Sequence, residues 1–286
     1  MQAYDYFKLS VQKLEKLYSS EEAHEILYWV FEDVLLIRKA HLQLFHKEIG
    51  FAEEMKLEQI MERLLNHEPL QYVLGYAHFR KLTLKVSPAV LIPRPETEEL
   101  VEWILQLVKE KFTSDTSLSI LDIGTGSGCI AISLEKEIQQ AQISALDISP
   151  EALSVAAENA KSNQADIQFH VGSILEAQEK QWAIDQQFDI LVSNPPYIKE
   201  EEKAAMQANV TEHEPHLALF VANESPLIFY QNILEVFLAS EKTKYAFFEI
   251  SEFQEIALTS LCKENRISFE FRKDLQGKTR MLLIAK

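Results

Sequence analysis

From residue 117 to the end of this 286-residue chain, strand-like and helix-like stretches alternate, and nothing else in the sequence constrains the fold as strongly. "LSILDIG", "QISALDI", "IQFHV", "FDILVSN" and "YAFFEI" are short apolar runs. Between them, "CIAISLEKEI", "EALSVAAENAKS", "SPLIFYQNILEVFLAS" and "EIALTSLCKEN" carry apolar residues at helical spacing. Strands that are apolar throughout are buried on both faces, as in a parallel sheet covered by helices on each side. "ISFEFRK" and "RMLLIAK" follow one another too closely for a crossover helix, so an antiparallel pair is expected at the edge. In such α/β sheets ligands sit at the carboxyl ends of the strands.

The first third reads differently. "SSEEAHEILYWVFEDVLLIRKA" starts on Ser20, a suitable N-cap, and repeats apolar residues at helical spacing from Ala23 to Leu35. "KLEQIMERLLNHEP" is a second amphipathic helix, and a small helical bundle follows from the two. In "YAHFRKLTLKVS" the period changes to two, which predicts a hairpin. The prolines of "PAVLIPRPETEEL" then hold an extended path into the next helix. These readings divide the chain into a helical domain (1–74), a β-hairpin linker (75–95) and an α/β domain (96–286).

Two isolated cysteines, Cys129 and Cys262, give neither a disulfide framework nor a zinc spacing, so a cytoplasmic setting is expected. No run has the length and apolarity of a membrane span. The net charge of −16 repels phosphate backbones and favours a protein or small-molecule partner over nucleic acid.

"LDIGTGSGCIAI" places Gly124, Thr125, Gly126, Ser127 and Gly128 between a strand and a helix. Glycine permits the tight turn and a close ligand approach, and the helix start is expected to offer free N–H groups to a negative group. The spacing is G-x-G-x-G, without the Walker lysine and without the dinucleotide-binding pattern. Asp147 ends the next strand about 20 residues on, where a carboxylate accepts hydrogen bonds from ribose hydroxyls. A nucleoside-bearing cofactor lacking a diphosphate is therefore expected, and S-adenosylmethionine fits. Asp122 either orients the glycine loop or faces the cofactor's ammonium.

"SNPPY" ends the strand "FDILV" with residues that stop a sheet ladder. An amide or exocyclic amine nitrogen is a poor nucleophile, because its lone pair is delocalised. A site that methylates it must hold its N–H groups on fixed acceptors. The Asn194 side-chain oxygen and the Pro195 carbonyl are suited to that, Pro195 and Pro196 stiffen both, and Tyr197 can stack on a planar group.

With these residues in view, the chain resembles the class I S-adenosylmethionine-dependent methyltransferases, and within them the bacterial release factor glutamine N5-methyltransferases. "EPLQYVLGYAHF", "LIPRPETEELVE", "LDIGTGSGCIAI", "ALDISPEAL", "FDILVSNPPYI" and "EHEPHLAL" carry the resemblance. It implies a Rossmann-like catalytic domain, a helical N-terminal domain that binds substrate and a hairpin linker. It also implies methylation of the glutamine in the Gly-Gly-Gln motif of peptide-chain release factors, by a monomer, with S-adenosylhomocysteine as product. Residues 124–128, Asp147, Ile174 and Asn194 would bind cofactor; Asn194, Pro195, Pro196 and Tyr197 would bind the glutamine amide. The alternative is an adenine N6 or guanine N2 methyltransferase of the same fold. Relatives usually carry an acid where this chain has Ser173, so Ser173 or the Ile174 backbone is expected to replace it beside the adenine. Arg94 is expected to pair with an acid or close over the cofactor, Cys129 to be a packed core residue, and Asp274, Gly277 and Arg280 to form a hairpin turn with a charge pair. His213 and His216, either side of "EP", lack a further ligand cluster for a metal.

Overall fold

The computed structural model describes residues 1–44, 46–113 and 116–286. Two compact units emerge: Met1–Tyr76 with Gln207–His213, and Ala77–Met206 with Glu214–Lys286.

The first unit contains α1 (Ala3–Leu14), α2 (Ser20–Leu35), α3 (Phe51–Leu65) and α4 (Leu70–Leu74). Phe7, Leu14, Leu27, Phe31, Leu57 and Leu64 fill its core. Each large apolar side chain removed from water contributes about 2–3 kcal/mol. The N-cap of α2 is Ser19, not Ser20: its side chain accepts the Glu22 N–H at 3.2 Å. Ser20 donates its hydroxyl to Glu15 instead, at 2.6 Å.

In the second unit, β1 (Tyr76–Phe79) and β2 (Leu82–Lys85) form the expected two-stranded sheet. Its turn is pinned by Arg80, whose guanidinium donates to Glu137 at 2.7 Å and to Glu102 at 3.1 Å. α5 (Pro95–Lys111) follows, with Pro95 in its first turn beside Glu96 and Glu98, where a fixed φ and negative charge suit the helix start. The α/β alternation then runs β3 (Ser119–Ile123), α6 (Cys129–Glu137), β4 (Gln142–Asp147), α7 (Pro150–Ser162), β5 (Ile167–Val171), α8 (Ala177–Gln186) and β6 (Ile190–Ser193). Two short strands, β7 (Ile198–Lys199) and β8 (Phe220–Val221), pair with each other; of the helices between them in sequence, α9 (Ala208–His213) belongs to the first unit and α10 (His216–Leu219) to this one. The chain closes with α11 (Ile228–Ala239), β9 (Tyr245–Glu249), α12 (Glu255–Glu264), β10 (Ser268–Lys273) and β11 (Thr279–Ala285).

Among the described residues, seven strands form one sheet in the order β10-β11-β9-β6-β3-β4-β5. β9, β6, β3, β4 and β5 are parallel, while β11 runs antiparallel to both neighbours, β9 and β10. Helices cover both faces, as the doubly apolar strands require. Leu100, Ile104, Ile130 and Leu134 pack on one side, and Tyr230, Phe237, Leu258 and Cys262 on the other. β3 has β4 on one side and β6 on the other, so the strand order reverses there. The carboxyl ends of β3, β4 and β6 open a crevice at that reversal.

Candidate active site

Three strand ends supply the crevice. β3 delivers the glycine loop, β4 delivers Asp147, and β6 delivers Asn194, Pro195 and Pro196. One cleft is lined by Gly124, Thr125, Gly126, Ser127, Asp147 and Ile174 together with Asn194, Pro195 and Pro196. Gly172 and Ser173 line it too, as does Arg94. Gly128 and Tyr197 are not on the cleft wall.

Gly124, Gly126 and Gly128 take positive φ values of 75°, 53° and 81°, the left-handed region in which a side chain is strained. At Gly128 a Cβ would also meet the Ile132 Cδ1 at 3.1 Å and the Ala156 Cβ at 3.3 Å, so this glycine lets α6 and α7 approach. Several of the loop's N–H groups are held within the fold rather than offered to a ligand. Gly124 and Thr125 donate to the Leu146 carbonyl at 2.8 and 3.2 Å, Gly126 to the Asp147 carboxylate at 2.8 Å and Gly128 to the Thr125 carbonyl at 2.9 Å. The helix N–H of Ala131 goes to Asp122 at 3.2 Å. Most of the loop's amides are thus spent on holding its own shape against the end of β4.

Asp147 accepts Gly126 N–H on one oxygen and Ser149 N–H, at 2.9 Å, on the other. Each oxygen keeps a further lone pair for a hydroxyl donor. Burial holds its carboxyl above the usual carboxylate value, against the pull of those N–H groups. Asp122 is fully buried beneath the loop; one oxygen accepts the Thr125 hydroxyl at 2.6 Å and the other has no partner. Burial pushes its carboxyl up to about 7, with the Thr125 and Ala131 hydrogen bonds opposing and the Asp147 charge assisting. Thus Asp122 orients the loop. Cys129 is buried and its thiol is pushed up to about 12, chiefly by burial, so it stays a protonated core residue.

Asn194 donates its Nδ2–H to the Thr97 Oγ1 at 3.2 Å, and Thr97 donates its hydroxyl to Glu249 at 2.6 Å. Tyr197 donates its hydroxyl to the other Glu249 oxygen at 3.3 Å. Burial raises Tyr197 well above the ordinary phenol value, with the Glu249 charge adding to it. Behind the prolines, Ser193 donates to the Ile123 carbonyl at 2.7 Å and ties β6 to β3. Arg94 pairs with the buried Glu214 at 2.6 Å. His213 meets the Asn66 carbonyl at 3.1 Å, and His216 packs edge-on against Phe220. Asp274 accepts the Lys278 N–H at 2.9 Å and pairs with Arg280 at 3.4 Å around Gly277, the hairpin turn foreseen.

Sequence reasoning passed over four polar residues. Thr97, Glu214 and Glu249 are buried in the network just described. Asn159, also buried, holds the loop at the Ser127 carbonyl (2.9 Å) and holds β2 at both backbone groups of Lys85. For Asn159, a polar residue inside the otherwise apolar stripe of α7 is the signal that could have found it.

The sequence matches the Methyltransferase small domain over residues 103–225 and the PrmC N-terminal domain over residues 5–75. The release factor glutamine methyltransferase of Flavobacterium psychrophilum is 38% identical over 279 residues, 96% of this chain and 95% of that protein. The chain belongs to the release factor glutamine methyltransferase family. The Bacteroides thetaiotaomicron member is 40% identical over 276 residues, 95% of each chain. Among solved structures, the N-terminal domain of human METTL16 in complex with SAH has a TM-score of 0.53 at 14% identity, covering 83% of this chain and 87% of that one. A ribosomal protein L11 methylase from Lactobacillus delbrueckii has 0.50 at 20%, covering 74% and 98%. These two share the fold.

The cofactor of this methyltransferase family is S-adenosylmethionine, and the residues of the cleft fit it. Asp147 has acceptor capacity left for ribose hydroxyls, and Ile123, Leu146, Ile148 and Ile174 give apolar walls for an adenine ring. No helix among the described residues is long and apolar enough to cross a membrane.

Proposed function

We propose that this release factor glutamine methyltransferase transfers a methyl group to the side-chain nitrogen (N5) of the Gly-Gly-Gln glutamine of peptide-chain release factors, as a cytoplasmic monomer that does not act on nucleic acid. In this reading Gly124, Thr125, Gly126, Ser127, Asp147 and the Ile174 backbone hold the cofactor, Gly128 lets the helices pack behind the loop, Ser173 stands where an acid is usual, and the helical unit grips the protein substrate. S-adenosylmethionine supplies an electrophilic methyl carbon on a sulfonium centre.

The residues of the chain do the rest. The Asn194 Oδ1 and the Pro195 carbonyl accept the two N–H groups of the glutamine amide and turn its nitrogen toward the donor. Pro195 and Pro196 fix these acceptors before substrate arrives, so little reorganisation is left for the reaction. Tyr197, anchored through its hydroxyl to Glu249, backs the Asn194-Pro195-Pro196 turn from behind the cleft wall. Transfer would then be one in-line displacement governed by orientation, in which the N–CH3 bond forms as the S–CH3 bond breaks and the amide nitrogen gives up one of its two protons to solvent.

The observation that carries this reading is the Asn194 amide: its nitrogen edge is committed to Thr97, so its oxygen edge is the one available in the cleft. The test is incubation with methyl-labelled cofactor and either intact release factor or RNA and DNA, with the label mapped by mass spectrometry. Label on the Gly-Gly-Gln glutamine is expected. Label on nucleic acid, with none on the release factor, would overturn the proposal.

A further inference from the structure

We infer that Thr97 and Glu249 are positioning residues that fix which edge of the Asn194 amide faces substrate. The inference rests on the reading of Asn194 proposed above and deepens it. An asparagine side chain has two edges of nearly equal shape, a donor NH2 and an acceptor oxygen. A site that needs the acceptor must forbid the flipped rotamer, in which the NH2 would face the substrate's own N–H groups.

Geometry supplies the restraint. Thr97 lies in the first turn of α5 and is buried; its hydroxyl sits 2.6 Å from the Glu249 Oε2 and 3.2 Å from the Asn194 Nδ2. A hydroxyl has one proton. With that proton on Glu249, Thr97 can only accept from Asn194. In a flipped Asn194 the Oδ1 would meet the lone pairs of the buried Thr97 oxygen with no proton between them. Glu249 ends β9, two strands from the β3 loop, and is 2% exposed. Its other oxygen takes the Tyr197 hydroxyl, so a single carboxylate holds both Asn194, through Thr97, and the tyrosine behind its turn. Burial raises the Glu249 carboxyl above its usual value, while the Thr97 hydroxyl, the Arg280 charge and the Tyr197 hydroxyl favour the carboxylate, and Tyr230 donates to the Glu249 carbonyl at 3.1 Å, which keeps the strand end in place. Burying an acid here is otherwise unfavourable, and no core packing need calls for it.

The test compares Thr97→Val, Thr97→Ser and Glu249→Gln. Thr97→Val keeps the shape and removes the hydroxyl. It is expected to lower kcat on release factor by about 10- to 100-fold, with KM for release factor and affinity for S-adenosylhomocysteine changed less than about threefold. Thr97→Ser restores the hydroxyl and is expected to stay within about threefold of wild type in kcat. Glu249→Gln, which can donate as well as accept, is expected to fall between them. A Thr97→Val enzyme with unchanged kcat overturns the inference, as does a Thr97→Ser enzyme as slow as Thr97→Val, which would assign the loss to packing. A second readout stands apart from the substrate assignment: 15N NMR of the enzyme without release factor, with the Asn194 signal identified by its loss in Asn194→Asp. Its Nδ2 protons are expected to exchange at least about tenfold more slowly in wild type than in Thr97→Val. Equal exchange rates overturn the inference whatever the substrate is. Failure of wild type to methylate release factor, with the exchange difference intact, would count against the substrate assignment alone.

Discussion

Replacing Asp147 by Asn should weaken cofactor binding by an amount set by the two hydrogen bonds of its carboxylate. One oxygen holds the Gly126 N–H at 2.8 Å and the other the Ser149 N–H at 2.9 Å. An asparagine offers one acceptor and puts an NH2 against the second N–H. One charge-assisted hydrogen bond is lost and a buried donor is left unpaired, a cost of about 1.5–3 kcal/mol. The glycine loop would then keep only its attachment to the Leu146 carbonyl on that side. At about 1.4 kcal/mol per tenfold, the dissociation constant for S-adenosylhomocysteine should rise about 10- to 100-fold. Isothermal titration calorimetry at neutral pH measures it, with circular dichroism to confirm that the variant is folded. A folded Asp147→Asn enzyme that binds within about threefold of wild type would refute the coupling of this carboxylate to loop and cofactor.

Three further outcomes are expected. Gly128→Ala places a Cβ at φ +81° and 3.3 Å from the Ala156 Cβ, so denaturant melts should show a loss of about 1–3 kcal/mol. Arg94→Met strands the buried Glu214 carboxylate and should destabilise by about 2–3 kcal/mol, most of it recovered in Arg94→Met/Glu214→Gln; a double variant no more stable than the single one would contradict the pairing. Asp122 carries a pH dependence. Its folded value, about 7, lies above the unfolded value of 3.8, so the native state binds the extra proton and this contribution is lost as pH rises toward 7. Unfolding free energy should therefore fall by about 2 kcal/mol more between pH 5 and pH 7 in wild type than in Asp122→Asn. A wild-type pH profile parallel to that of the variant would show that the carboxyl is not perturbed.

The backbone plan was legible because it is written in periodicity. The apolar runs from Ile120 to Ile284 could only be buried strands, and Gly124, Gly126 and Gly128 mark where the chain must turn with positive φ. Asp147 and the Asn-Pro-Pro run were readable because their residue types are wrong for a strand interior yet stand at strand ends. What stayed hidden depends on contacts between residues distant in sequence. Thr97 and Glu249 are 152 positions apart, and Arg94 and Glu214 are 120 apart. Nothing local marks either pair, since a threonine in a first helical turn and a glutamate at a strand end are unremarkable by themselves. Membership of Gln207–His213 in the helical unit is hidden for the same reason. The use of the Gly124, Thr125 and Gly126 amides was hidden likewise, since the end of β4 takes them through the Leu146 carbonyl and the Asp147 carboxylate.

The chemistry proposed depends on a rigid carboxamide presenting its oxygen to another amide. Single-turnover methyl transfer to release factor by Asn194→Ala, beside the affinity of the same preparation for S-adenosylhomocysteine, tests it most directly. The rate should drop by about 100-fold or more while the affinity stays within about threefold of wild type. A variant that transfers methyl within a few-fold of the wild-type rate would contradict the account.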